Sequence, residues 1–325
     1  MCHNVVDRHL KDRLDQAALI YVSSETGMET TYSFAELHQE VQRMAASLQA
    51  MGVSKGDRVL IYMPMIAEAA FAMLACVRIG GIHCVVFSGF ASGSLASRID
   101  DASSKVIVSA DTGSRGGKVA PYKLLLDDAI RLSVHQPDAV LMVDCGLAAM
   151  TLVAGYDQLW ADLRAVHLSA QVPYEPMNST DISYTSYTSG TTGKPKGVQR
   201  DTGGYAVALA ASMTHIFDVK PGETFFSTSD IGWVVGHSYI IYGPLISGMA
   251  TILYEGLPTQ GMDGQPNGGI WWSLVEKYKV TAMFSAPTAV RVLKKQNPTL
   301  LKKYNLGSPR ALFLAGEPLD EPTAR

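Results

Sequence analysis

Residues 187–197 read YTSGTTGKPKG and concentrate groups that bind anions. Glycines let the backbone turn so that successive N–H groups converge on one anion. The same segment supplies hydroxyl donors and positive charge from Thr188, Ser189, Thr191, Thr192, Lys194 and Lys196. A flexible surface turn would also be rich in glycine and serine. The density of donors favours a phosphate-binding loop.

This loop differs from the common nucleotide-binding patterns. A Walker A loop needs Ser or Thr after its Gly-Lys pair, and here Pro195 follows Lys194. Pro195 also disfavours a helix that starts directly at Lys194, so the loop should extend further. A strand precedes it and a helix is predicted to begin near Gly203. The step from strand to helix is where α/β proteins hold phosphates.

Apolar strand-like runs alternate with helix-like runs along the chain. The strand-like runs cover 58–64, 83–87, 105–110, 139–145, 182–188, 250–256, 280–287 and 311–316, and the helix-like runs cover 66–79, 122–132, 205–217 and 271–279. Such alternation predicts an α/β fold of parallel or mixed sheets covered by helices on both faces. The weakly periodic stretch 145–180 suggests approximate subdomains at 1–170 and 171–325.

A helix with a purely structural role is predicted after Ser33. Ser33 precedes Glu36 by three residues, the spacing of a capping box. An apolar stripe at helical spacing follows, and Gly52 should end the helix. The stripe consists of Leu37, Val41, Met44, Ala45 and Leu48.

Composition excludes several classes of protein. With 47% apolar and 18% charged residues, the chain should fold rather than stay disordered. A net charge of -3 gives no basic field for nucleic acid. The apolar run 67–87 contains Glu68 and Arg78, which argues against a membrane span. Four cysteines without a CxxC pair indicate reduced thiols and a cytoplasmic protein.

The run 183–197, SYTSYTSGTTGKPKG, resembles the signature phosphate loop of the adenylate-forming superfamily, which includes acyl-CoA synthetases, luciferases and the adenylation domains of peptide synthetases. Residues 30–65, 226–256, 285–293 and 312–318 resemble further segments of the same family. The motif GWVVGHSY at 232–239 is similar to the short-chain branch, the acetyl-CoA and propionyl-CoA synthetases. The resemblance covers nearly the whole chain and implies the large N-terminal domain of this family.

The resemblance implies two half-reactions. A carboxylate would attack the α-phosphate of Mg²⁺-bound ATP, and coenzyme A would then take the acyl group from the adenylate. Three sets of residues would bind ATP and coenzyme A. The ATP phosphates would meet Thr188, Ser189, Gly190, Thr191, Thr192, Gly193, Lys194 and Lys196, and adenine would meet Gly316, Glu317 and Pro318. Coenzyme A would meet Arg115, Lys118, Phe87 and Gly89, although ordinary surface charge would also explain the two basic residues.

The acyl pocket is implied at Trp233, Val234, Val235 and Ala315, although Val234 could equally be a core residue. Acetate-specific relatives carry threonine at the Val235 position and valine at the Ala315 position. Valine in place of threonine removes a hydroxyl from the pocket wall, and alanine in place of valine enlarges the pocket. Propionate is therefore expected to be favoured over acetate. One methylene in such a pocket is worth about 1–3 kcal/mol. His237, although close in sequence, is expected to be structural.

The resemblance stops at Arg325, whereas family members continue into a small C-terminal lid domain that carries a catalytic lysine. The expectation is therefore a partial large domain, missing an N-terminal extension as well, with no catalytic residue of its own. The parent should be a ligase. The alternatives are a fragment that binds nucleotide or coenzyme A without chemistry, and an adenylating enzyme for larger acids, which the short-chain motif argues against.

Overall fold

Runs of apolar, β-branched residues form the centres of two sheets in a computed structural model that describes residues 1–188 and 196–324. The strands are β1 Ala17–Ser23, β2 Glu29–Ser33, β3 Arg58–Tyr62, β4 Ile82–Val85, β5 Val106–Ala110, β6 Gly113–Arg115, β7 Lys118–Ala120, β8 Ala139–Val143, β9 Asp157–Leu159, β10 Ile182–Thr188, β11 Lys196–Asp201, β12 Thr224–Ser227, β13 Ala250–Glu255, β14 Val280–Ser285 and β15 Ala311–Leu314.

Helices connect these strands. They are α1 Cys2–Val5, α2 Phe34–Ala50, α3 Ala67–Arg78, α4 Ser92–Ala102, α5 Tyr122–Leu132, α6 Trp160–Val166, α7 Thr202–His215, α8 Val234–Gly236, α9 Gly243–Ile246, α10 Ile270–Tyr278, α11 Pro287–Lys294 and α12 Glu321–Ala324. A π-helical segment, His237–Tyr242, joins α8 to α9, and 3₁₀ turns lie at Asp7–Leu10 and Pro298–Lys303.

Within the described ranges, one sheet has the strand order β11-β10-β4-β3-β5-β8-β9 and the other has the order β15-β14-β12-β13-β1-β2. Neighbours in the first sheet are parallel except β10 and β11, and those in the second are parallel except β1 and β2. The predicted α/β fold of parallel or mixed sheets with covering helices is confirmed. Strands β5 and β8 are buried along their whole length, as expected for covered parallel strands.

The helix predicted after Ser33 forms as α2. The Ser33 side chain accepts a hydrogen bond from the Glu36 N–H, and the Glu36 carboxylate accepts one from the Ser33 N–H. The apolar stripe from Leu37 to Leu48 is fully buried. Gly52, at φ +85°, follows the last turn in a conformation that glycine adopts readily.

The step after the predicted phosphate loop differs from expectation. Strand β11 lies between the loop and helix α7. The loop therefore joins the two antiparallel strands β10 and β11, rather than a strand and a helix. Every residue of β11 is exposed, and its sequence KGVQRD has no buried face. An edge strand of this kind gives no apolar alternation, which is why the sequence pattern did not reveal it.

Both sheets draw strands from either side of residue 170. Strands β1 and β2 join the sheet of β12–β15, and β10 and β11 join the sheet of β3–β5. The proposed boundary near residue 170 therefore divides the sequence but does not separate the two sheets, and the subdomains stay a prediction. Among the described residues, no helix combines the length and apolar character that crossing a membrane requires.

A buried ion pair fastens the N-terminal segment to the first sheet. Both terminal nitrogens of Arg78 donate to the Asp7 carboxylate at 2.9 Å, and the Arg78 Nε donates to the Val172 carbonyl at 2.6 Å. Arg78 is only 2% exposed. Burial disfavours the charged form of Asp7, but hydrogen bonds and positive charge from His38 and Arg78 outweigh it and hold the pKa of Asp7 well below its usual range.

We expect Asp7→Asn to lower the free energy of unfolding by about 3 kcal/mol, because it leaves the buried Arg78 charge without a partner. Urea denaturation at pH 7 measures this loss. Because the pKa of Asp7 is depressed in the folded state, its contribution is complete above the ordinary carboxyl pKa and declines as the pH falls. The difference between wild type and variant should therefore shrink in acid.

Asp128→Asn is the matched control, because Asp128 pairs with Arg131 on the surface. Exposed ion pairs contribute about 0–1 kcal/mol. Equal losses for the two variants would show that the buried pair of Asp7 and Arg78 stabilises the fold no more than a surface ion pair does.

Candidate active site

The carboxyl ends of strands from both sheets border one cleft with a volume of about 520 Å³. From the first sheet, Met65 follows β3 and Phe87 follows β4. From the second sheet, Asp230 follows β12 and Thr288 follows β14. Open α/β sheets bind ligands outside the carboxyl ends of their strands, so this cleft is the candidate site.

Aromatic rings and two close glycines shape the cleft. The rings of Phe87 and Trp233 lie 5.2 Å apart, centroid to centroid. A Cβ atom on Gly89 would come within 2.5 Å of the Phe87 ring, and one on Gly232 would come within 2.6 Å of the Phe87 Cα. Gly232 has no room for a side chain, because its neighbour is backbone, whereas at Gly89 the Phe87 ring would have to shift. The predicted coenzyme A residues Phe87 and Gly89 are thus brought against the predicted acyl residue Trp233.

The other predicted coenzyme A residues lie on a short hairpin formed by β6 and β7. Arg115 and Lys118 are directly opposed in its register, and both side chains are exposed. The Arg115 guanidinium carbon lies 5.7 Å from the centre of the Phe87 ring, within cation–π distance. Arg115 lines the cleft, whereas Lys118 is not among its lining residues.

The phosphate loop is described only at its two ends. Ser189, Gly190, Thr191, Thr192, Gly193 and Lys194 lie outside the described residues. Thr188 ends β10 and pairs with Lys196, the first residue of β11. Because β10 runs parallel to β4, the end of β10 at Thr188 lies at the same sheet edge as Phe87. The Tyr187 hydroxyl donates to the Asp101 carboxylate at 2.9 Å and anchors β10 at this end.

The predicted adenine residues form a turn beside the cleft. Gly316 has φ +98°, which favours glycine, and nothing lies within 4 Å of the place where its Cβ would be. The Glu317 carboxylate accepts a hydrogen bond from the N–H of Thr288 at 2.6 Å and pairs with Arg291 at 2.9 Å. Hydrogen bonds from Thr288 and Arg291 lower the pKa of Glu317. Arg291 also donates to the Pro318 carbonyl at 3.3 Å.

The predicted acyl residues divide into two groups. Trp233 is 42% exposed and lines the cleft, and Val234 beside it is also exposed, unlike a core residue. Val235 packs on an aromatic cluster that also contacts Phe313 of β15. The N–H of Ala315 donates to the Ser285 carbonyl at 3.2 Å, just beyond the end of β15.

Asp230 is a cleft residue that the sequence interpretation missed. Its carboxylate accepts a hydrogen bond from the Gly232 N–H at 2.7 Å. Burial raises the pKa of Asp230, and the hydrogen bond from Gly232 and the charge of Arg115 oppose that rise. An aspartate two residues before a glycine, after the polar residues 227–229, was the signal available in the sequence.

His237 lies in a buried stack of rings. Its ring is 4.5 Å from that of Tyr184 and 5.4 Å from that of His83. Burial lowers the pKa of His237 to about 4, although a hydrogen bond to the Trp233 carbonyl opposes this. A neutral, fully buried ring that contacts the backbone of Trp233 supports a structural role.

Comparison with known proteins identifies the family. The family model described as "AMP-binding enzyme" matches residues 6–325, nearly the whole chain. The chain therefore belongs to the AMP-binding enzyme family, and the family resemblance predicted from its motifs is confirmed.

Individual relatives give finer similarity. The chain is 60% identical over 324 residues to a propionate–CoA ligase of Escherichia coli K12, an alignment that covers 100% of this chain and 51% of the relative. A propionate–CoA ligase of Salmonella typhimurium is 61% identical with the same coverage. An acetyl-coenzyme A synthetase of Caulobacter vibrioides is 44% identical over 98% of this chain and 48% of the relative. The chain spans about half the length of these curated relatives.

We expect Gly232→Ala to destabilise the fold by about 1–3 kcal/mol, the usual cost of overpacking. The added Cβ would meet the Phe87 backbone, which cannot move without disturbing β4. Chemical denaturation measures the loss, and tryptophan fluorescence should shift because Trp233 is adjacent.

Gly93→Ala is the matched control, since nothing lies within 4 Å of its Cβ position in helix α4. Gly93 is the second residue of α4, so replacing it by alanine should raise the free energy of unfolding by at most about 0.5–1 kcal/mol, the value for a mid-helix glycine. If Gly232→Ala were as stable as this control, the close approach to Phe87 would be wrong.

Proposed function

We propose that the protein carrying this chain joins a short-chain carboxylate, propionate in preference to acetate, to coenzyme A through an acyl-adenylate, with ATP as the second substrate. The observation that carries the proposal is the convergence of Phe87, Arg115, Trp233 and Thr288 on one cleft. Similarity to two propionate–CoA ligases over the whole chain supports the choice of acid.

The first half-reaction places the acid beside the α-phosphate of ATP. The carboxylate oxygen forms a bond to phosphorus, and pyrophosphate leaves with the electrons of the bond that breaks. The glycine turn at Gly316 leaves open space where a flat base could lie against the backbone. Trp233 and the aromatic cluster under Val235 offer an apolar wall for the acyl chain. Apolar walls also limit access of water to the adenylate.

The second half-reaction transfers the acyl group to sulfur. The coenzyme A sulfur forms a bond to the acyl carbon, AMP leaves with the electrons of the broken C–O bond, and the thiol proton is released. Arg115 would meet a phosphate of coenzyme A, since guanidinium groups suit phosphate oxygens. Lys118 is a weaker candidate, because its ammonium group lacks the planar fork of arginine.

Mg²⁺ enters this proposal bound to ATP rather than in a resident metal site. Among residues 1–188 and 196–324, no group of three or more His, Cys, Asp or Glu side chains could hold a metal ion. The cytoplasm is the proposed compartment, because the four cysteines, all within these ranges, carry free thiols.

The direct test is exchange of labelled pyrophosphate into ATP, measured on the protein that carries this chain. We expect exchange that requires a carboxylic acid, is faster with propionate than with acetate, and does not need coenzyme A. Adding coenzyme A should then yield the thioester and AMP. Binding of ATP or coenzyme A without any exchange would favour the alternative of a binding protein without chemistry.

Ala315→Val tests the acyl preference. The two added methyl groups should reduce the propionate-to-acetate ratio of kcat/KM by about 10–200-fold, the value of one methylene in a fitted pocket. Ala311→Val is the matched control, because Ala311 begins the same strand at the end away from the cleft. A ratio that changes equally in both variants, or in neither, would overturn the assignment of Ala315 to the pocket.

A further inference from the structure

The hairpin that carries Arg115 is too short to be stable alone. Strands β6 and β7 have three residues each, and they form a separate two-stranded sheet. Two-stranded hairpins are at best marginally stable in water without further packing. The position of Arg115 therefore depends on contacts from outside the hairpin.

One carboxylate in the β1–β2 turn supplies three hydrogen-bond contacts of this kind. Glu25 accepts hydrogen bonds from the N–H groups of Gly116 and Gly117, at 2.6 and 2.9 Å, and from the Ser114 hydroxyl at 2.6 Å. Gly116 and Gly117 both have positive φ, so they form the tip of the hairpin. Glu25 thus binds the residue before Arg115 and the two residues after it.

The turn that holds Glu25 is itself fixed. The Ser23 hydroxyl accepts hydrogen bonds from the N–H groups of Glu25 and Thr26, both at 3.2 Å. The buried Gln260 side chain donates to the Ser24 carbonyl at 3.2 Å. A rigid chain of contacts therefore runs from the second sheet, through Glu25, to the hairpin.

The chemistry of this contact leaves Arg115 available. Glu25 is held by neutral donors, so the Arg115 guanidinium is free to face the cleft beside Phe87. Burial opposes ionisation of Glu25, but the hydrogen bonds from Ser114, Gly117 and Gly116 prevail and lower its pKa. The carboxylate therefore stays charged at neutral pH. The tip glycines also line a second cleft of about 380 Å³.

We propose that Glu25 is a positioning residue for coenzyme A, which acts by fixing the hairpin so that Arg115 can meet a phosphate of that substrate. This inference rests on the proposed function, because it takes coenzyme A as the ligand of Arg115. Glu25 itself would touch no substrate.

The test is a double-mutant cycle read by calorimetric binding of coenzyme A to the protein that carries this chain. Arg115→Ala should weaken binding by about tenfold or more, the value of a charge-assisted hydrogen bond. Glu25→Ala should weaken it by several-fold, and the double variant should bind no worse than Arg115→Ala alone. Additive losses, or unchanged binding in Glu25→Ala, would overturn the proposal.

Two further variants separate positioning from general damage. Glu25→Gln keeps one carbonyl acceptor in place of the two carboxylate oxygens and should restore part of the affinity lost in Glu25→Ala, even if the alanine variant folds poorly. Glu29→Ala is the matched control, because Glu29 lies on β2 and bonds to Lys277 and Tyr278 instead of the hairpin. Binding in that variant should stay within about twofold of wild type. An equal loss in both alanine variants would contradict a specific role for Glu25.

Acid-dependent pyrophosphate exchange, measured on the same samples, distinguishes this proposal from the proposed function. Glu25→Ala should exchange at the wild-type rate, because that half-reaction does not use coenzyme A. If wild type binds coenzyme A without exchange, the proposed function fails while the Glu25 cycle still decides the positioning role. If wild type exchanges but does not bind coenzyme A, the positioning role and the coenzyme A half-reaction fail, while formation of the acyl-adenylate stands. Absence of both overturns both.

Discussion

The close contact between Phe87 and the turn from Asp230 to Gly236 is the constraint on which the cleft depends. Phe87 follows β4 of the first sheet, and the turn follows β12 of the second. Gly232 approaches the backbone of Phe87 so closely that a Cβ would not fit. Because the contact is between backbone atoms, it fixes the edges of the two sheets relative to each other. It also brings the rings of Phe87 and Trp233 into contact.

Parallel strands explain why segments distant in sequence meet at this contact. All neighbours of β3, β4, β12 and β14 in the sheets are parallel, so their carboxyl ends point to the same side. Antiparallel pairing occurs at the outer strands β2 and β11, away from the sheet centres. The loops that follow the central strands therefore supply the residues of the site, and the helices pack against the sheets.

The sequence predicted the elements with strong periodicity and missed those whose placement depends on tertiary contacts. Helix α5 and strand β10 have the predicted bounds, because each has an apolar pattern of its own. Strand β11 is polar and exposed, so only its pairing with β10 defines it. The predicted site residues outside the phosphate loop came from motif resemblance, and their roles stay predictions. Glu25 was missed because its role depends on the β6–β7 hairpin, which lies close to it only in the folded chain. Asp230 was missed because its place in the cleft depends on the meeting of the two sheets.

Both hairpins that border the proposed ligand sites are anchored by a carboxylate from a neighbouring element. Glu25 binds the β6–β7 tip, and Asp101 of α4 binds the Tyr187 hydroxyl near the end of β10. In each case the donors that bond to the carboxylate are neutral, either backbone N–H or hydroxyl. An ion pair with a lysine or arginine of the hairpin would hold it equally well but would neutralise the charge that a phosphate needs. Anchoring through neutral donors therefore fixes the backbone and leaves Arg115 and Lys196 free to bind an anion.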